Sequence, residues 1–230
     1  VDYINHRSVK LMHHAKIIAV TQPEQDLSVE EFIVFCARVS SPANQANHAT
    51  APKLMRYLMT HGHWSPFEMV SITMEIVTTR DIARQILRHR SFSFQEFSQR
   101  YADPTEALGF TFRQLRYQDK VNRQNSIVGS QDDLVQGAWA TMQDNVMTEA
   151  KIGYDAALAL GIAKEQARAL LPEGLTVSRL YMAGTLRSWI HYCNVRTKSD
   201  TQSEHRIIAE SAWSNIVGLC PSLEGLNDSK

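Results

Sequence analysis

Met69 to Val77 reads as a strand, and from Val70 to Ile76 it alternates without a break. Val70, Ile72, Met74 and Ile76 fall on one side, and Ser71, Thr73 and Glu75 fall on the other. Period-two alternation describes a strand with one buried face. Thr78 and Thr79 then stand where an N-cap is needed, Asp81 suits a first helical turn, and Arg80 to His89 continues as a helix. The pattern therefore gives a strand running directly into a helix.

Lys16 to Val20 reads as a short strand. Ser28 to Val39 reads as a helix, with Ser28 and Glu31 forming a capping box and Val29, Phe32, Ile33, Cys36 and Val39 as its buried stripe. Pro52 to His61 is a second helix, stopped at Gly62. Residues 102–131 are polar and irregular, with one strand expected near Phe110 to Leu115. They admit an active-site lid, a solvent loop or a subunit contact. A long helix follows from Asp132 to Leu160, in which Gly137 and Gly153 each cost about 1 kcal/mol relative to Ala. Ala163 to Leu171 reads as a short helix, Leu175 to Met182 as a strand, Leu186 to Val195 as a helix capped by Thr185, and Ser203 to Leu219 as the last helix. Residues 1–14 read as a flexible arm, and 15–230 as one domain.

The charge balance restricts partners. Lys plus Arg and Asp plus Glu are 24 each, so the 230-residue chain is formally neutral. A nucleic-acid binder normally carries a basic excess. A module that stacks bases on Phe92, Phe94 and Phe97 is thus disfavoured, and a small anion is the better match for local basic clusters. The three cysteines form no Cys-x-x-Cys, which fits a reducing, cytoplasmic setting. No apolar run approaches the roughly 18 residues of a membrane span. Neither a dinucleotide-binding glycine fingerprint nor a P-loop is present.

The chemistry concentrates in Arg88-His89-Arg90-Ser91-Phe92-Ser93-Phe94-Gln95-Glu96-Phe97-Ser98-Gln99-Arg100-Tyr101. Three basic side chains precede a run of serines, glutamines and a glutamate. Arginine forks suit phosphate, so the segment points to a nucleotide. Arg80, Arg84 and Arg88 share a helix face, with Gln85 beside Arg88 and His89. For Arg80 and Arg84 the alternative is a solvated face with local acidic partners. His61-Gly62-His63-Trp64-Ser65-Pro66-Phe67-Glu68 has the form of a capping box with proline at the first helical position. His61 and His63 lack a third ligand at metal spacing, so no metal is expected. Arg187, His191 and Asn194 make one polar stripe on an otherwise apolar helix, with Arg196 at its end. Such a stripe needs partners.

These residues resemble the signature of the flavin-dependent thymidylate synthases. The form Arg-His-Arg-x-x-Ser-x-(Asn/Gln)-Glu-x-Ser-x-Arg-Tyr is met at Arg88, His89, Arg90, Ser93, Gln95, Glu96, Ser98, Arg100 and Tyr101. Ala37-Arg38-Val39-Ser40, the His61 to Glu68 stretch, Ala167-Arg168 ahead of Leu171-Pro172, and Arg187 followed by Arg196 are similar to further landmarks in the same order.

The resemblance implies an α+β fold with an antiparallel sheet and long helices, assembled as a homotetramer with active sites between subunits. It implies conversion of dUMP to dTMP, with 5,10-methylenetetrahydrofolate as carbon donor, NADPH as reductant and FAD as hydride carrier. It places Ser40, His63, Ser65, Arg88, His89, Arg90, Glu96, Thr185, Arg187 and His191 on FAD. It places Gln85, Arg88, Glu96, Ser98, Gln99, Arg100, Arg168 and Arg196 on dUMP, with Arg196 polarising the uracil. Thr185 and His191 depart from the asparagine of some members. No covalent protein nucleophile is implied, and Ser98 is expected to be a ligand of the nucleotide. A nucleotide-binding regulator without chemistry would share these motifs and would carry no reducible flavin.

Overall fold

The computed structural model describes residues 12–129 and 133–227. In chain order its elements are β1 (His14–Val20), α1 (Val29–Ala37), α2 (Ala51–Thr60), β2 (Ser71–Thr79), α3 (Arg80–Ile86) and β3 (Ser93–Glu96). They continue with α4 (Pro104–Ala107), β4 (Tyr117–Gln118), β5 (Ser126–Ile127), α5 (Asp133–Ala159), α6 (Lys164–Ala167), β6 (Val177–Thr185), α7 (Leu186–Arg196) and α8 (Ser203–Leu219). Short 3-10 turns occupy Ser65–Met69 and Arg168–Leu170.

The main sheet has the order β1-β2-β6-β3, and every neighbouring pair is antiparallel. The expected α+β architecture is therefore present. The backbone of the sheet is the β2–β6 pair, matched from Ser71 opposite Thr185 to Thr79 opposite Val177. The alternation of β2 does what its pattern requires. Val70, Ile72, Met74 and Ile76 are all buried. They meet Leu180 and Met182 of β6, Ile82, Ala83 and Ile86 of α3, and Trp189 and Ile190 of α7 in one core. Burying one such side chain is worth about 1.5–3 kcal/mol. Trp189 keeps its indole N–H satisfied by donating to the Ile72 carbonyl at 3.1 Å. The helix α8 is pinned to β1: Ser211 both accepts from and donates to Ala15, and Asn215 donates to the same carbonyl. A smaller core joins Tyr154 and Ala157 of α5 to Ala167 and Leu171.

Several expectations need correction. Residues 93–96 of the Arg88 to Tyr101 segment, where no strand is expected, form β3 and pair with Ala183 to Leu180 of β6. The short polar alternation conceals this strand. The helix after Ser28 carries its capping box but stops at Ala37, leaving Val39 70% exposed. Phe110 to Leu115 makes a single bridge, from Phe110 to Thr176, and the two-residue β4 and β5 pair further on. The Ser65–Glu68 capping box does not form: Ser65 opens a 3-10 turn without a side-chain cap, and Glu68 engages Arg187 instead. Thr79 occupies the N-cap of α3, yet its hydroxyl donates to Asp81 at 2.6 Å. The expected arm also ran too far. His13 is buried, with Nδ1 2.9 Å from the Thr78 hydroxyl, and His14 opens β1. Residues 1–11 of that arm, and the expected start of the long helix at Asp132, lie outside the described residues.

Gly184 shows how closely β6 meets the signature segment. A Cβ at this position would lie 2.5 Å from the Phe92 ring. Phe92 cannot simply retreat, because it stands edge-on to Trp189 at 4.9 Å. Gly184→Ala is therefore expected to lower stability by about 1–3 kcal/mol. Thermal unfolding followed by circular dichroism checks this, and an unchanged melting temperature would contradict the packing.

Candidate active site

The fold gathers the sequence-distant candidates into four neighbouring groups. The first lies where the turn after α3 meets the C-terminal end of α7. Arg196 donates from Nε to His89 Nε2 at 3.0 Å. An arginine has no acceptor and keeps its proton, so His89 Nε2 must carry a lone pair. His89 is therefore neutral here. Burial, reinforced by the Arg196 and Arg88 charges, lowers its pKa to about 4. Its ring stands edge-on to Tyr192 at 4.9 Å. Buried His205 continues the group: Nε2 lies 3.1 Å from the Tyr192 hydroxyl and Nδ1 lies 3.4 Å from Gln85 Oε1. Burial, with help from Arg196, His89 and Arg88, lowers the His205 pKa to about 3.

The second group is the basic triplet itself. Arg88 and Arg90 are exposed, and neither side chain has an acidic partner among the described residues. Arg80 and Arg84 differ. Arg80 pairs with Glu96 at 3.3 Å, and Arg84 pairs with Glu173. These partners lie 16 and 89 positions away and the Arg80 side chain is only 15% exposed, so the expected solvated face with local acidic partners does not form, and Arg88 is left as the ladder's cation without an acidic partner among the described residues. Glu96 also accepts from Ser178 at 2.8 Å, so the sheet fixes its carboxylate.

The third group surrounds the start of α7. Thr185 caps the helix, accepting from the Ser188 N–H and donating to the Ser188 hydroxyl. Arg187 binds Glu68, and His191 packs on Trp64 with ring centroids 4.4 Å apart. Burial and then the Arg187 charge lower the His191 pKa. His63 lies edge-on to Tyr57 in the same region. The polar stripe of α7 therefore has partners at Arg187 and His191, whereas buried Asn194 Oδ1 lacks one among the described residues. At 1.5 Å per residue, α7 places Thr185 and Arg196 about 16 Å apart along one rod.

The fourth group joins Arg100 and Arg168. Arg100 pairs with the Glu165 carboxylate at 3.3 Å, and Arg168 donates to the Glu165 carbonyl at 3.3 Å. Lys164 donates to the Tyr101 carbonyl, fastening the end of the signature to α6. Ser98 Oγ accepts from the Arg100 N–H at 3.3 Å. No imidazole is bonded to it among the described residues, so nothing there activates it as a nucleophile. Gln99 is buried at 4% exposure, turned into the subunit. Ser40 and Ser65 have no recorded side-chain bond to these groups among the described residues. The thiols of Cys36, Cys193 and Cys220 are all raised by burial, the last to about 12, which makes them poor nucleophiles. Among the described residues, no three His, Cys, Asp or Glu gather as a metal site, and no helix is long and apolar enough to cross a membrane.

Sequence reasoning missed the partners behind this face. Arg113 and Arg116, from the irregular segment, both bind Glu204, which is 1% exposed. Arg113 also donates to Asp81 and to Thr79. Burial works against the Glu204 carboxylate, but the Arg116 hydrogen bonds and the Arg113 charge prevail and hold its pKa at about 2. The one available signal was that two arginines in a polar segment must neutralise something.

Fold and site together define an α+β protein that presents unpaired arginines around a neutral histidine–arginine pair, which suits an anionic nucleotide. Comparisons make the class specific. A family model described as "Thymidylate synthase complementing protein" matches residues 22–222. The chain is 46% identical to a probable flavin-dependent thymidylate synthase of Paramecium bursaria Chlorella virus 1, over 91% of this chain and 96% of that one. It is 50% identical to the flavin-dependent thymidylate synthase of Synechocystis, over 86% and 91%. Its fold superposes on a UMP/dUMP methylase of Streptomyces cacaoi, solved with 5-Br dUMP, with a TM-score of 0.73 at 26% identity, covering 94% of this chain and 96% of that one. The chain belongs to the flavin-dependent thymidylate synthase family.

Proposed function

We propose that the protein converts dUMP to dTMP by reductive methylation, taking the carbon from 5,10-methylenetetrahydrofolate and the reducing equivalents from NADPH through FAD. The observation that carries this reading is the Arg196–His89 contact. His89 holds the guanidinium through Nε. The planar Nη1/Nη2 edge is left for a ligand. A guanidinium beside the N3/O4 edge of uracil stabilises negative charge spread through the ring, so C5 becomes able to take up the one-carbon unit. Arginine keeps its proton throughout, so it acts by charge and geometry.

The residues present fit FAD. Exposed Arg88 and Arg90 lack acidic partners among the described residues, which suits a diphosphate. His63, Thr185, Arg187 and His191 surround the start of α7 and offer hydrogen bonds and ring surface. When bound, FAD supplies hydride, and the protein orients it and limits access of water. Gln85, Ser98, Arg100 and Arg168, with Glu96 fixed by Arg80 and Ser178, are assigned to the nucleotide. Ser98 serves as a ligand and forms no covalent bond. Gln99 supports that turn from inside.

A homotetramer is part of this reading. The helix α5 exposes Leu134, Met142, Val146 and Ile152, with Leu160 just past its end, an apolar surface that a second copy would cover. In this reading a neighbouring subunit closes the four groups into a site. The test is the visible spectrum of the purified protein. A flavin spectrum that bleaches with NADPH, together with dTMP formation from dUMP, is the expected result. A protein that takes up no FAD would refute the proposal.

A further inference from the structure

A chain of hydrogen bonds runs from the buried charge cluster to Gln85, and its direction is fixed. Glu204 lies between Arg113 and Arg116 and is ionised, so it can only accept. Gln202 Nε2 donates to Glu204 Oε2 at 3.1 Å. Gln202 therefore turns its oxygen outward and accepts from Gln85 Nε2 at 2.8 Å. Gln85 in turn faces His205 with Oε1, at 3.4 Å. The His205 Nδ1–H donates to that oxygen, and Nε2 accepts from the Tyr192 hydroxyl at 3.1 Å. Amide orientation is set by such networks rather than by amide shape. Here a single acceptor-only group sets the whole sequence, and a neutral amide in its place would allow every member to reverse.

We infer that Glu204 and Gln202 are positioning residues that fix which edge of the Gln85 amide meets the nucleotide. This rests on the reading of Gln85 as a nucleotide ligand. Gln85 keeps one N–H and one oxygen lone pair beyond the chain, and a defined orientation presents them in one order. An amide free to flip would offer the wrong group part of the time. Arg113 and Arg116, from the irregular segment between α4 and α5, act one step further back by keeping Glu204 ionised and in place.

Steady-state kinetics of the flavin-loaded enzyme test the inference. Gln202 is exposed, so Gln202→Met removes the link without touching the core. One lost hydrogen bond in the ligand-binding network corresponds to about a three- to ten-fold rise in KM for dUMP. The expected result is that rise with kcat and melting temperature unchanged. Glu204→Gln should raise KM in the same way, and if it fails to fold, Gln202→Met alone decides. Gln85→Ala should raise KM, and adding Gln202→Met to it should raise KM no further, as expected for residues acting in series. A normal KM in Gln202→Met beside a raised KM in Gln85→Ala overturns the inference and keeps Gln85 as a ligand. A normal KM in Gln85→Ala overturns the ligand reading, and the inference with it. A lowered melting temperature with normal KM in Gln202→Met would show a merely structural contact.

Discussion

Arg196→Lys is expected to lower kcat by about 10²–10³-fold, the usual cost of losing one preorganised charge donor, while leaving flavin bound. The geometry gives the reason. In the proposed reading Arg196 divides its guanidinium between two tasks: Nε meets His89 at 3.0 Å, and the outer edge serves the substrate. Lysine keeps the charge but ends in one ammonium. If that ammonium reaches His89 it leaves nothing in line for the uracil, and if it turns to the uracil it abandons His89. The helix is indifferent to the change, because Arg196 sits in the last turn of α7, where either cation suits the dipole. Flavin absorbance per subunit should stay normal, because the groups assigned to FAD lie at the start of α7 and in the basic triplet. Turnover within a few-fold of the parent would remove Arg196 from its assigned role. Loss of flavin together with turnover would place it on the cofactor instead.

The elements with strong local signals were legible in the sequence. The alternation of Val70 to Ile76, the Ser28–Glu31 capping box and the Thr185 cap each depend on residues a few positions apart, and each forms as read. The misreadings share another cause. β3 is a four-residue edge strand, and only its pairing with β6 makes Ser93 to Glu96 extended. Ser65 and Glu68 have the spacing of a capping box, but Arg187 lies 119 positions away and takes the glutamate. The candidate site residues were nameable from the signature. Their connections were not. Nothing local to Glu204 announces Arg113 or Arg116, and nothing local to Gln85 announces Gln202.

Mild acid should unfold the protein, with a midpoint between about pH 4 and 5. Three histidines carry the argument. His13, lowered by burial and by Arg113, has a pKa of about 4, His89 about 4 and His205 about 3. In the unfolded chain each returns to about 6.5. Below that value the unfolded state binds protons that the folded state refuses, so stability falls as pH falls. The contribution is complete above about pH 6.5 and is lost as pH drops through about 4 to 3. Glu204 adds to it at the lower end, because its folded pKa of about 2 lies below the 4.5 of an ordinary glutamate. Its share is complete above about pH 4.5 and disappears toward pH 2. At about 1.4 kcal/mol per shifted unit, and with His89 and His205 counted as less than additive because they are neighbours, the histidines remove on the order of 5 kcal/mol by pH 4.5. A domain holds about 5–15 kcal/mol in all, so that loss is enough to reach the transition. The structural result is specific as well. A protonated His89 could no longer accept from Arg196, and a protonated His205 would give up the Tyr192 hydroxyl as a donor, so the folded site refuses these protons and they are taken up on unfolding. Far-UV circular dichroism against pH checks this. A fold intact at pH 3 would contradict the buried neutral histidines.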